Sequence, residues 1–454
     1  MHTDLDAPAP PPEQWSSKKL LLIALCILAV FITAILSYDS KLEPYDDLVP
    51  AVVKESDVGT NGYFFLKERW EKLPAVSKPD EEKASGMMSG KTPWDSAFFE
   101  KLSIGQKNMA SELKTALAMP EFSMPRVVSI NDDPFEGQWV IKHIRRLTRQ
   151  LAVFAHEGNS AAAIDLLRDL HQFSFRGIDA SSTLISLLTI AAVQSVAAAK
   201  TCDLLEQLKL DDSQAAALSK IWEAGPDYRA AWKRAMIGES AWSRSALEAM
   251  KNGGALPGTP LPGMPPQALV ALLIKKNQTL NRIHQHNRQL IKVGFNVFPS
   301  KQAAQSAGWA PLEKRNAGIG RYLNPNFISN SMYDPESFLR IIPSLTDKFF
   351  FQPRALQVRI AIYRWRLKHP GQWPAKLDEL VPEFLPEIPA DPWNGKPLTW
   401  EPTSHFIQAV GSDWKTDVPK FRSTTDWFST EYEFPGLRCE LPSAPPITAP
   451  ASPP

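Results

Sequence analysis

Two carboxylates four residues apart, Asp413 and Asp417, sit in a polar loop spanning residues 411–417. Oxygen donors at that spacing suit a hard cation. Calcium takes about six to eight oxygens, and this loop offers a subset, with Asp391 or backbone carbonyls completing the set. The plainer alternative is that Asp413 caps the turn while Asp417 faces water. Calcium at Asp413, Asp417 and Asp391 is the one cofactor that the residues suggest.

Other chemistry finds less support. None of the 8 histidines falls in a metal-enzyme spacing. His156-Glu157 lacks a second histidine four residues on from the first, so there is no H-E-x-x-H. His284 and His286 stand two apart on a helical segment and face different directions. No G-x-S-x-G, Walker-type or G-x-G-x-x-G pattern occurs, and Gly318-Ile319-Gly320 is too short to cradle a phosphate. Ser16-x-x-Lys19 abuts an apolar run and has no partners. With 49 acidic residues, carboxylate pairs are abundant and none stands out for acid–base work. No catalytic residue is therefore assigned, and the chain reads as a non-enzyme more readily than as an enzyme.

Lys142, Arg145, Arg146 and Arg149 share one helical face, expected to be solvated and paired with Asp165 or Asp169. The 14 tryptophans are spread along the chain and read as core. A formal net charge of +1 gives no global attraction for nucleic acid, and none is expected as a partner.

The elements that must position these residues begin with an anchor. Residues 20–36 (LLLIALCILAVFITAIL) carry no charge. Extended to Tyr38 they make about 28 Å of helix, close to a bilayer core of roughly 30 Å. A cleaved signal peptide is the rival reading. The run is longer than a typical signal core, however, and Ala34-Ile35-Leu36 is no A-x-A site. Lys18 and Lys19 precede the span, whereas Asp39, Glu43, Asp46 and Asp47 follow it against Lys41 alone. The N-terminus is thus expected in the cytoplasm and the bulk of the chain outside, in a bacterial cell the periplasm. The lipid bilayer, met through residues 20–38, is the first expected partner. Cys26 lies in the span, and Cys202 and Cys439 are expected as two thiols rather than a bridge.

Beyond the anchor the pattern is helical. Val140, Ile144, Leu147, Leu151 and Phe154 step by four and three along one stripe. A second helix starts at about Ser160, a third at a Ser181 or Ser182 cap, and a fourth at Asp211-Asp212, stopping at Gly225 with Pro226 opening the next. Alanine runs 161–163, 197–199 and 215–217 would let helices approach closely. The chain has 40 prolines. Many lie in the two tails and in residues 253–266 (GGALPGTPLPGMPP), which must be loop. Residues 267–293 read as a long helix with a polar face, Asn277, Asn281, His284, Gln285 and Arg288. Residues 308–335 are irregular, and helix resumes over 354–368.

From Tyr363 onward the text changes. A helix ends at His369-Pro370-Gly371, Trp373-Pro374 opens a short helix with Leu377, Leu380 and Val381 inward, and Asp391-Pro392-Trp393-Asn394-Gly395 makes a tight turn. Strands over 397–400 and 406–410 follow. This segment resembles the C-terminal part of the major pseudopilins of type II secretion. Gly371, Trp373, Pro374, Asp391, Pro392, Trp393, Gly411 and Asp413 fit their pattern. Ala409 stands where that pattern has serine, and Asn394-Gly395 reverses its usual order. Ser16-Ser17-Lys18-Lys19 replaces the pseudopilin leader, so prepilin processing is not expected. The whole layout is similar to that of uncharacterised bacterial envelope proteins, a resemblance that names an architecture and carries over no activity.

The expected fold is mainly α: a single N-terminal transmembrane helix, an antiparallel helical array, and a small C-terminal α+β module with a short β-hairpin. By residue the plan is a cytoplasmic tail (1–19), the span (20–38), a helical periplasmic region (39–252) and the proline loop (253–266). A second helical stretch (267–362), the pseudopilin-like module (363–417) and a proline-rich tail (418–454) complete it. The expected role is an inner-membrane-anchored scaffold with a protein partner in the envelope. A component of a secretion or pilus-like assembly, or a cell-wall or glycan hydrolase, are the alternatives. Calorimetric titration tests the cation: calcium should bind the wild type and bind Asp413→Asn more weakly, and no heat at millimolar calcium overturns the site.

Overall fold

The computed structural model describes residues 22, 24–27, 30, 38–50, 59–88, 90–103, 108–126, 129, 132, 137–223, 225, 227–252, 275–293, 345, 347–403 and 405–409. These divide into two compact units. One gathers described residues of Met1–Pro44 and Ala246–Arg282, the other those of Tyr45–Ser245, Ile283–Glu313 and Asp334–Pro454. As expected, the chain is mainly helical, with a two-stranded antiparallel sheet near its C-terminal end.

In the larger unit the core is built by α1 (Gly62–Trp70), α4 (Met109–Ala118), α5 (Gln138–His156), α6 (Ser160–Ala180), α7 (Leu184–Gln207) and α8 (Asp212–Ile221). α2 (Lys78–Met88) and α3 (Ser96–Leu102) form a smaller satellite of Ala84, Met87 and Phe99, with Trp94 and Val153 packed against it. α9 (Tyr228–Lys251), α10 (Lys276–Val293) and α11 (Gln352–Lys368) follow. The predicted stripe of α5 faces inward: Val140, Ile144, Leu147 and Leu151 are all buried. α7 is apolar nearly all round and packs on α5, α6 and α11. Buried Ala163, Ala197 and Ala215 come from the three alanine runs.

Helix starts are set by short polar side chains. Asn159 accepts the N–H of Ala162 to open α6. Thr183 and Ser186 form a reciprocal capping box at α7, and Asp211 and Gln214 form another at α8. The cap of α7 is thus Thr183, not Ser181 or Ser182. Ser181 instead sends its hydroxyl back to the Gly177 carbonyl at 2.8 Å. α8 ends at Ile221, one turn before the expected Gly225. Asp227 accepts the N–H groups of Arg229 and Ala230 at the start of α9, while Pro226 lies outside the described residues.

α11 is two-faced. Leu356 and Ile360 join the main core, whereas Phe351, Ala355, Val358, Ala361, Ile362 and Trp365 join a second cluster with Leu377, Leu380, Phe384, Trp393 and Ile407. That second cluster belongs to the C-terminal segment, where residues 377–380 form one short 3-10 turn. β1 (Thr399–Glu401) pairs with β2 (Phe406–Gln408), Trp400 lying opposite Ile407. Asn394-Gly395 does not close this hairpin. It turns an upstream bridge, Ala390 opposite Pro397, with Gly395 at a φ of 72°.

Some expectations fall outside the described residues: most of the span, the loop 253–266, residues 267–274 and 308–335, Cys439, and Asp413 and Asp417. Cys202 is half-buried against the main core.

Two glycines mark where backbones meet. A Cβ at Gly62 would sit 2.2 Å from the Ala116 carbonyl oxygen, and one at Gly238 would sit 1.7 Å from that of Ser182. Neither neighbour is a side-chain tip that can swing aside. Gly238→Ala should therefore destabilise the fold by about 1–3 kcal/mol, the usual cost of overpacking, and lower the midpoint of thermal unfolding followed by circular dichroism. An unchanged midpoint overturns this close approach.

Candidate functional site

The polar face of α10 is where the chain leaving the apolar N-terminal run is fastened. In the smaller unit the Asp39 carboxylate accepts the N–H groups of Asn277 at 2.8 Å and Gln278 at 3.0 Å. A helix start carries N–H groups with no partner of their own, and an anionic acceptor there is favourable for the helix dipole. Asn277 and Asn281 donate their amides to the carbonyls of Ser40 and Lys41 at 2.9 and 2.8 Å. Asn281 also accepts the Glu43 N–H at 2.8 Å.

A second set lies in the larger unit. Arg288 grips Asp47 through two parallel bonds, Nε to Oδ2 at 2.8 Å and Nη2 to Oδ1 at 2.7 Å. That hydrogen bond holds the Asp47 carboxyl below its usual range. The Tyr45 ring lies 5.1 Å from that of His284, and the Arg244 guanidinium sits 4.2 Å from the Tyr45 ring centre. Asn287 donates to Ser240 Oγ at 2.6 Å. Four of the five polar residues read from the sequence, Asn277, Asn281, His284 and Arg288, thus contact residues of 39–47. Gln285 is exposed. Such a fastening holds residues 39–47 on α10; it brings no nucleophile and base together.

The C-terminal residues serve a different end. Asp391 is 2% exposed. Its Oδ1 accepts the Trp393 N–H at 2.8 Å, and its backbone closes the turn through Lys396 and Gly395. Arg354 donates to the Ala390 carbonyl at 2.7 Å and attracts the Asp391 carboxylate. Asp391 is thereby committed to its turn. Asp413 and Asp417 lie outside the described residues, so the three are not brought together here. Among the described residues no group of three or more His, Cys, Asp or Glu is arranged to hold a metal. Trp373 is sandwiched between Arg366, 4.0 Å from its ring centre, and the His405 ring at 3.8 Å. Trp400 donates its indole N–H to the Pro374 carbonyl at 2.9 Å. Both faces of Trp373 are occupied, so it is no open stacking platform.

Four histidines are core residues. His143, His171, His284 and His286 are all buried, and burial pushes them down from 6.5 to about 4, 4, 4 and 3 respectively. His171 packs between Phe175 and Trp222, with ring centres 4.6 and 4.5 Å away.

The basic face of α5 differs from expectation. Arg146 and Arg149 are buried rather than solvated. Arg149 meets Glu81 at 3.2 Å, not Asp165 or Asp169, and Asp165 pairs with Arg168. Periodicity places both arginines on one stripe but says nothing of α2, which covers them.

Glu239 carried no signal in the sequence. It accepts the Leu184 N–H at 2.9 Å, so α9 caps the start of α7 from a distance, and burial pushes its carboxyl upward.

The chain matches no protein-family model, no curated protein and no solved structure.

The histidines set a pH dependence. A histidine held neutral in the fold, but titrating near 6.5 when unfolded, contributes stability that is complete above pH 6.5 and is lost as pH falls towards 4. Chemical denaturation should therefore show stability declining between pH 6.5 and 4. His286→Leu should flatten that slope by about one proton. A slope that is the same in wild type and variant refutes the assignment.

Proposed function

We propose that the chain is a membrane-anchored periplasmic scaffold, held in the bacterial inner membrane by residues 20–38, N-terminus inside, and presenting an antiparallel helical array to a protein partner in the envelope. One observation carries the anchor. Leu22, Leu25, Ile27 and Val30 are helical, yet 63, 53, 63 and 70% exposed. A run of large apolar side chains facing outward needs a cover, and a lipid bilayer is the cover that suits a chargeless helix of this length. α7 makes the contrast: the window Leu184–Leu205 is also apolar enough to span, but 56% of it is buried inside the helical core.

The fastening of Asp39 to Glu43 on α10 supports a tether that must not pivot freely where it leaves the membrane. Commitment of the buried histidines, Asp391 and Trp373 to packing and turns supports a non-catalytic role. The second reading is a component of a secretion or pilus-like assembly. The observation in its favour is the Asp391 turn and β1–β2 hairpin packed on α11, a layout resembling that of the pseudopilins.

Fractionation tests the anchor. The wild type should stay in the membrane pellet through an alkaline carbonate wash, and Leu25→Glu with Ile27→Glu should move it to the soluble fraction. A phosphatase fused to the C-terminus should be active. Release of the wild type, or an inactive phosphatase, overturns the reading. Photo-crosslinking from the helical region in intact cells should give discrete protein adducts, and their absence at every position tried removes the scaffold role.

A further inference from the structure

Arg146 and Arg149 stand three residues apart on α5, so they share a face. They are 2 and 4% exposed. Arg146 donates Nη2 to the Pro74 carbonyl, and Arg149 donates Nη2 to Glu81 Oε1 at 3.2 Å. The Nη1 group of each is buried with no hydrogen-bond partner among the described residues. Among the described residues Glu81 is the one carboxylate that attracts both guanidinium groups, and Arg149 repels Arg146. Two buried cations therefore share a single anion. Arginine does not escape by losing its proton, and an uncompensated buried charge is among the most costly features a fold can carry.

We propose that Arg146 and Arg149 form a binding site for a phosphate group, which Glu81 occupies with its carboxylate when no ligand is bound. The charge count favours phosphate. A carboxylate cancels one guanidinium, as Glu81 does now, whereas a phosphate dianion cancels both and has enough acceptor oxygens for both Nη1 groups. The guanidinium fork matches a tetrahedral oxyanion through paired N–H donors. A way in exists on the α2 side, because the Glu81 side chain is 33% exposed. The cover is light as well. α2 is seated on the satellite cluster of Ala84, Met87 and Phe99, not on the main core. Lifting its first turn would withdraw Glu81 while α5 stays fixed by Val140, Ile144, Leu147 and Leu151.

The phosphate could belong to a free solute or to a phospholipid headgroup, and the test has an arm for each. Full-length protein in a neutral detergent is titrated with inorganic phosphate, and separately with micelles doped with phosphatidic acid, whose phosphomonoester headgroup can carry two negative charges, following the thermal unfolding midpoint. Sodium chloride at equal ionic strength is the control. A rise in midpoint with either probe beyond that control is expected, with phosphate alone responding for a solute site and doped micelles alone for a headgroup site. Glu81→Gln removes the competing carboxylate and keeps both arginines. It should bind the responding probe about tenfold more tightly. Arg146→Met should abolish the response. Should that variant fail to fold, the Glu81→Gln comparison decides alone. No response to either probe in both wild type and Glu81→Gln overturns the site, as does tighter binding to the wild type than to Glu81→Gln.

Discussion

The structure turns on one helix that cannot face water. α7 has apolar residues on nearly every side, and most of such a helix must be covered by its neighbours. α5, α6 and α11 supply that cover. A covered helix then needs its ends satisfied, since its first N–H groups are cut off from solvent. Thr183 and Ser186 meet part of this need from within the helix. Glu239 meets another part from α9, which fixes α9 against the α6–α7 corner and explains why residue 238 must lack a side chain. The same logic places Gly177, where a Cβ would sit 2.6 Å from the Ile190 side chain: α6 and α7 approach more closely than two ordinary side chains allow.

What could be read from the sequence follows from this. Stripes repeating every three or four residues reveal which face of a helix is buried, and Val140 to Leu151 were correctly placed by spacing alone. A cap three residues from its donor can be legible, as at Asp211, although at α7 the choice among Ser181, Ser182 and Thr183 was not. A cap is not legible when the acceptor comes from elsewhere in the chain. Nothing local to Glu239 shows that its carboxylate meets Leu184, and nothing local to Asp39 shows that it caps a helix beginning at Lys276. The polar face of α10 was visible as a pattern, whereas its purpose lay in contacts some 240 residues away. Likewise Asn394-Gly395 was correctly read as a turn, but the segments it joins, bridged at Ala390 and Pro397, were not legible, because a dipeptide specifies local curvature and not which strands it joins.

Two apolar helices in one chain show why composition alone cannot separate a core element from an anchor. Leu184–Leu205 and the N-terminal run are both nearly chargeless, yet the first is largely buried in the helical core whereas Leu22, Leu25, Ile27 and Val30 of the second are mostly exposed. Periodicity gives a partial signal: buried alanines in α7, at Ala191, Ala197 and Ala198, permit close helix contact. The N-terminal run instead carries bulky Leu, Ile and Val side chains outward.

Most buried polar groups here have a structural duty. Asn61 ties α1 to the Glu121–Ser123 strip, Arg176 gathers the carbonyls that end α4, and Tyr228 bonds to Gln194 across α7 and α9. In each case a donor meets an acceptor that folding would otherwise strand, so the group adds specificity without leaving a reactive remainder. Arg146 and Arg149 depart from that pattern as a pair. Each uses one side of its fork and leaves the other enclosed and unmet, on a helix whose opposite face is among the best packed in the protein. A methionine or leucine of similar reach would cover the same surface at no electrostatic cost. Other side chains among the described residues, Trp222 and Arg244 among them, also keep a buried unpartnered polar atom, so what marks Arg146 and Arg149 is that two buried cations three residues apart draw on the same carboxylate.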